Sequence, residues 1–203
     1  MHQKQQRQLS AYLHIRKSAN PQIRTSTIMH INFEFKARHK DIAAAEKALQ
    51  AHHPRFVGED HQVDTYFNVP NGRLKLREGI IEHALIFYQR NNVAGAKQSD
   101  VTLYPHEPDA ALKQILTQSL GIKTVVDKKR KIYFIENVKF HFDSVEGLGN
   151  FVEVEAIDKD GSIGMEKLKE QCNQYQHILG VADNDFMAES YSDLLLAKKS
   201  SFG

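Results

Sequence analysis

The feature that most restricts this chain is a strand alternation whose polar side is charged, repeated in one segment after another. In HINFEFKAR, residues 30–38, Ile31, Phe33, Phe35 and Ala37 fall on one face. Asn32, Glu34, Lys36 and Arg38 fall on the other, because successive strand side chains point to opposite sides. RLKLRE sets Arg73, Lys75 and Arg77 against Leu74 and Leu76. Between residues 84 and 90, Ile86, Tyr88 and Arg90 share a face opposite Leu85 and Phe87. Lys128 and Arg130 share a face in the next long run. Lys139, His141 and Asp143 then oppose Val138, Phe140 and Phe142, and Glu153 and Glu155 oppose Val152 and Val154.

One such strand is an ordinary solvated surface. A solvated face mixes its polar residues, whereas R-x-K-x-R and K-x-R are purely basic here and E-x-E is purely acidic. Like charges two residues apart on one face repel. An anion held against the basic rows and a cation against the acidic row would remove both penalties, which is what a metal-bound polyphosphate supplies. Lys and Arg bond phosphate oxygens with charge assistance, Arg across two oxygens at once. Mg²⁺ or Mn²⁺ takes carboxylate oxygens, and Glu34, Asp143, Glu153 and Glu155 could provide them. Closure of the sheet with its charged faces inward would bring all these rows to one lumen. The apolar faces then need helices outside.

The chain supplies them. DIAAAEKALQAHH reads as a helix with Asp41 as N-cap. EPDAALKQILTQSLGI is amphipathic through Leu112, Ile115, Leu116 and Leu120 and is closed by Gly121. MEKLKEQCNQYQHILG and ESYSDLLLAKK are helical as well. Pro70-Asn71-Gly72 marks a hairpin, and Gly147 and Gly149 mark a turn. The class is α+β, dominated by an antiparallel sheet. Residues 29–203 read as one domain, after a basic tail over 1–28 with no acid before Glu34. That tail is either disordered or an import signal for an organelle; otherwise a cytoplasmic location is expected.

Net charge is +2, from 27 basic and 25 acidic side chains, and no aromatic platform borders a basic stripe. Nucleic acid is therefore not an expected partner. No run reaches the roughly 18 apolar residues of a membrane helix, so no membrane partner is expected. Cys172 is the single cysteine; its helical spacing with Leu168, Tyr175 and Leu179 reads as a buried thiol. The 11 histidines show no zinc spacing with cysteine, although His141 is a candidate for proton transfer.

Together, NFEFKAR, DTYFNVPNGRLKLRE, LIFYQR, VVDKKRKIYF, VKFHFDSVEGLGNFVEVE and SYSDLL resemble the CYTH superfamily, or triphosphate tunnel metalloenzymes. The resemblance spans about Ile31 to Leu195. It implies a closed eight-stranded antiparallel β tunnel with a charged lumen and helices packed outside, binding a triphosphate and Mg²⁺ or Mn²⁺. Carried over, Lys36, Arg130 and Glu34 are the catalytic candidates. Lys36, Arg38, Arg73, Lys75, Arg77, Arg90, Lys128 and Arg130 are the triphosphate ligands, and Glu34, Asp143, Glu153 and Glu155 the metal ligands. There are two departures from the family pattern: Asn32 replaces the first Glu of E-x-E-x-K, and Tyr88 and Arg90 stand where many members carry a lysine.

The resemblance implies a class IV adenylyl cyclase, turning ATP into cyclic AMP and pyrophosphate. The alternatives are a triphosphatase for tripolyphosphate, thiamine triphosphate or a nucleotide, and a non-catalytic binder of polyphosphate or nucleotide. A monomer or homodimer is expected. If tunnel charges repel one another without ligand, alanine at Arg130 or Glu153 should abolish turnover and leave the fold intact.

Overall fold

The computed structural model describes residues 28–89 and 94–201, the side chains of 28–30 excepted. The alternating runs form β1 (Ile28–Arg38), β2 (Arg55–Phe67), β3 (Arg73–Glu78), β4 (His83–Gln89), β5 (Lys97–Pro105), β6 (Ile122–Ile135), β7 (Val138–Val145) and β8 (Gly149–Asp158). They close as a barrel in the order β1-β5-β4-β3-β2-β6-β7-β8, every neighbouring pair antiparallel. The ladder that shuts the barrel runs from Ile31↔Asp158 to Arg38↔Phe151. Closure removes the open edges a sheet this size would otherwise expose. The expected eight-stranded tunnel with external helices is the observed fold.

Alternation decides which side of the barrel each residue faces. Phe35, Ala37, Tyr133, Phe140, Val152 and Val154 form an outer core. Onto it pack Ala45 and Leu49 of α1 (Ile42–Gln50) and Leu168, Cys172 and Tyr175 of α3 (Met165–Ile178). Each large side chain buried this way contributes about 1.5–3 kcal/mol. Asp41 caps α1 as expected, its Oδ1 accepting from the Ala44 amide at 3.0 Å. The Cys172 thiol donates to the Phe33 carbonyl at 3.1 Å, and burial pushes it up to about 12, so it is an inert packing group.

α2 (Ala110–Leu120) forms where expected, yet none of its residues is buried and Ile115 is 59% exposed. Periodicity specifies which face of a helix is apolar, not whether another element covers it. The expected tail over residues 1–28 lies outside the described residues except for Ile28, which opens β1. Among the described residues, no helix is long and apolar enough to cross a membrane.

α4 (Tyr191–Ser200) begins with a reciprocal Ser190–Asp193 capping box. Its Tyr191 reaches into the barrel and, with Tyr66, Ile86, Tyr88, Val126 and Phe151, forms a second apolar cluster. Lys97 is buried and donates to the carbonyls of Met187 and Ala188 just before this helix.

The β3–β4 turn is fixed by a carboxylate. Asp60, fully buried, accepts from the amides of Ile81 at 2.9 Å and Glu82 at 3.1 Å, and from that of Ile80. A Cβ on Gly79 would lie 2.7 Å from both Asp60 Oδ2 and the Glu82 carbonyl oxygen. Gly79→Ala is therefore expected to cost about 1–3 kcal/mol, read as a lowered urea midpoint, and to displace Glu82.

Candidate active site

The barrel encloses a cavity of about 320 Å³. Its walls carry Lys36, Lys75, Arg77, Lys128, Arg130 and Lys139 together with Glu34, Asp64, Glu82, Glu153 and Glu155. Charges this deep sit in a poorly screened medium, so their arrangement is decisive.

Three cations converge on one carboxylate. Arg77 forks onto Asp64 at 2.9 and 3.1 Å, Lys75 donates at 3.0 Å and Lys128 at 2.7 Å. Burial works to raise the Asp64 carboxyl, but Arg77, Lys128 and Lys75 outweigh it and hold it well below the usual range. The Lys128 ammonium is pushed down to about 7, first by burial and then by Arg77, Arg130 and Lys75, with Asp64 opposing. Asp64 is thus a charged hub shared by three cations, of which Arg77 also donates to Glu82 at 2.8 Å, and Lys128 holds its proton least firmly.

A second knot surrounds Arg130. Its guanidinium grips Asp143 through Nε at 2.6 Å and through Nη2, and Nη2 also reaches Glu153 at 2.7 Å. Tyr191 donates its hydroxyl to Asp143 at 2.8 Å, and the Lys36 ammonium lies 4.2 Å above the Tyr191 ring and 3.1 Å from Glu153. Tyr191→Phe removes one bond to a charged acceptor that keeps its arginine. A loss of about 1.5–3 kcal/mol in urea unfolding is expected.

Acidic groups gather beside this knot. His141, Glu153 and Glu155 each offer a ligand atom within 4.8 Å of the others. Burial, Arg130 and Lys139 drive His141 down to about 3, so the imidazole is neutral. Burial pushes Glu155 up to about 7, reinforced by Glu153 and Glu34 against the pull of Lys139. A divalent cation would relieve that repulsion, and carboxylate oxygens suit a hard metal ion. The residues present fit such a group.

The structure brings Glu34, Lys36, Lys75, Arg77, Lys128, Arg130, Glu153 and Glu155 to one cavity. It places others elsewhere. Asp143 is fully buried behind Arg130, which engages both its oxygens. Arg38 is exposed, bonded to the Leu148 carbonyl at 2.9 Å and stacked 4.9 Å from the Phe151 ring. Arg73 pairs with Asp193 of α4 at 2.8 Å and lines a smaller neighbouring pocket. Arg90 lies outside the described residues.

Sequence reasoning missed Asp64 and Glu82. Asp64 shares its face with Asp60 and Gln62, a period-two polar row legible in the sequence. Glu82 lies in a turn, where no period exists. Burial works to raise its carboxyl, and Lys139 and Arg77 outweigh that and hold it well below the usual range.

The CYTH domain profile matches residues 30–191. The chain belongs to the CYTH family. Members of that family are metal-dependent adenylyl cyclases or triphosphatases acting on triphosphate substrates, as the sequence resemblance implies. Adenylate cyclase CyaB of Aeromonas hydrophila is 28% identical over 177 residues, covering 79% of this chain and 86% of that protein. A conserved hypothetical protein from Pyrococcus furiosus superposes with a TM-score of 0.69 at 24% identity, covering 80% of this chain and 99% of its own. A Hippeastrum protein described as having a dominant triphosphatase activity superposes at 0.54 with 14% identity, covering 84% and 96%. The two structures share the fold of this CYTH domain.

Proposed function

We propose that this CYTH domain is a class IV-type adenylyl cyclase that converts ATP to cyclic AMP and pyrophosphate in its lumen. The observation that carries the reading is the convergence of Lys75, Arg77 and Lys128 on the single carboxylate of Asp64. A polyphosphate adds negative charge to this cluster of cations. The similarity to the Aeromonas adenylate cyclase supports the choice of reaction.

In this reading Lys75, Arg77 and Lys128 hold the phosphates, and Lys36 and Arg130 neutralise charge that develops as the α-phosphorus is attacked. Asp143 and Tyr191 are positioning residues that hold Arg130 in its plane. Glu34, Glu153 and Glu155, with His141, are the residues that would hold Mg²⁺ or Mn²⁺, which when bound neutralises phosphate charge. The ribose 3′-oxygen bonds to the α-phosphorus, the bond to the β-phosphate bridge breaks, and pyrophosphate leaves with its electron pair. The 3′ proton passes to water.

Incubation with ATP and Mg²⁺ or Mn²⁺, resolved by ion exchange, should yield cyclic AMP and pyrophosphate. Orthophosphate from ATP or tripolyphosphate with no cyclic product would replace the cyclase reading with a triphosphatase; no product from either would leave a binding protein.

The depressed Lys128 gives this reading a pH signature. A phosphate beside Lys128 favours its ammonium, so near about pH 8 the complex holds more protons than the free lumen. Calorimetry in two buffers of different ionisation enthalpy should show wild type taking up close to one more proton per tripolyphosphate than Lys128→Met. Equal proton counts would place the phosphate away from Lys128.

A further inference from the structure

A lumen that receives only phosphate should be polar all round, since hydrocarbon offers a desolvated phosphate nothing. This one is not. The inward residues of β4 and β5 include Ile86, Tyr88, Val101 and Leu103, all lining the same cavity as the charges. Ile86 stands directly across the ladder from Lys75 of the cation cluster, so the apolar wall begins one strand away from the proposed phosphate site. At its margin, Asn32 opposes Ser99 across the β1–β5 ladder. Asn32 is buried and lines the cavity, and its Oδ1 has no hydrogen-bond partner. A buried acceptor left unbonded is costly, and the residue that carries it lines the cavity. An apolar wall with a few convergent polar atoms is the make-up of an organic-ligand site.

We propose that the β4–β5 wall and the Asn32 amide form the subsite for the organic group of the substrate, a heteroaromatic ring whose polar edge meets the Asn32 side chain. The inference rests on the triphosphate reading and deepens it: the substrate is an organic triphosphate, and inorganic tripolyphosphate is the poorer ligand. It also gives Asn32 a role. The position that lacks the family's carboxylate contributes a neutral side chain beside the ring.

The test is calorimetric titration of tripolyphosphate, ATP, GTP and thiamine triphosphate, each with Mg²⁺, into wild type, Leu103→Asn and Asn32→Ala. Val101→Thr, nearly isosteric, replaces Leu103→Asn if that variant does not fold. At least one organic triphosphate should bind about tenfold tighter than tripolyphosphate. The variants should shrink that ratio by about fivefold or more, weakening tripolyphosphate much less. Tripolyphosphate binding as tightly as every organic triphosphate overturns the organic subsite and leaves the phosphate site standing. Equal weakening of all ligands by the variants also overturns it, showing that the wall serves only to pack against Tyr191 and its neighbours. If no triphosphate binds, tripolyphosphate included, the triphosphate reading itself falls.

Discussion

Arg130→Ala is expected to abolish turnover and to cost about 3–5 kcal/mol of stability, because it strands a buried carboxylate. Asp143 would keep only the Tyr191 hydroxyl, and Glu153 would lose its 2.7 Å partner. This reverses half of the expectation drawn from sequence, which held that the fold would survive the change. Tunnel charges do not simply repel in the folded chain; opposite charges from neighbouring strands pair along the lumen wall. Arg130→Lys retains the charge but loses the fork onto Asp143, and should fall between wild type and alanine in urea midpoint. A wild-type midpoint for Arg130→Ala would mean that Asp143 is not the charged partner described.

Asp64→Asn is the second large effect. It leaves Lys75, Arg77 and Lys128 facing one another without their shared carboxylate, and a loss of about 3–5 kcal/mol is expected. The same change should make the lumen hungrier for anions. Thermal unfolding with and without tripolyphosphate, in the absence of metal, should show a larger ligand-induced shift for the variant than for wild type. A ligand at one hundred times its Kd stabilises by about 2.7 kcal/mol, and the tighter of two proteins gains more at equal concentration. Identical shifts would remove Asp64 from the phosphate site.

Most of the barrel was legible because alternation is a local property: Phe35 faces out and Glu34 in for reasons contained in nine residues. The charged rows were legible because their signs are unmixed. Depth along the lumen was not. Arg38 and Asp143 lie on the expected face, but Arg38 is the last residue of β1 and is exposed, and Asp143 sits directly across the ladder from Arg130, which engages both its oxygens. Asp64 passed unread because isolated acids on a strand face resemble a solvated surface until the partner strands are known. Glu82 depends on a turn held by Asp60 and Gly79, with no period to reveal it. Strand β2 begins at Arg55, well before the alternation becomes clear near Gln62, because a bulge near Gly58 shifts the register.

The central claim is that the cations around Asp64 hold a polyphosphate. The most direct measurement is calorimetric titration of tripolyphosphate with Mg²⁺ into wild type and into the Lys75→Met/Lys128→Met double variant. Two charge-assisted contacts, each about 1.5–3 kcal/mol, correspond to a loss of roughly a hundredfold or more in affinity. Saturable one-to-one binding to wild type, weakened by that much in the double variant, is the expected result. No saturable binding to wild type, or equal affinity in both proteins, would contradict the claim.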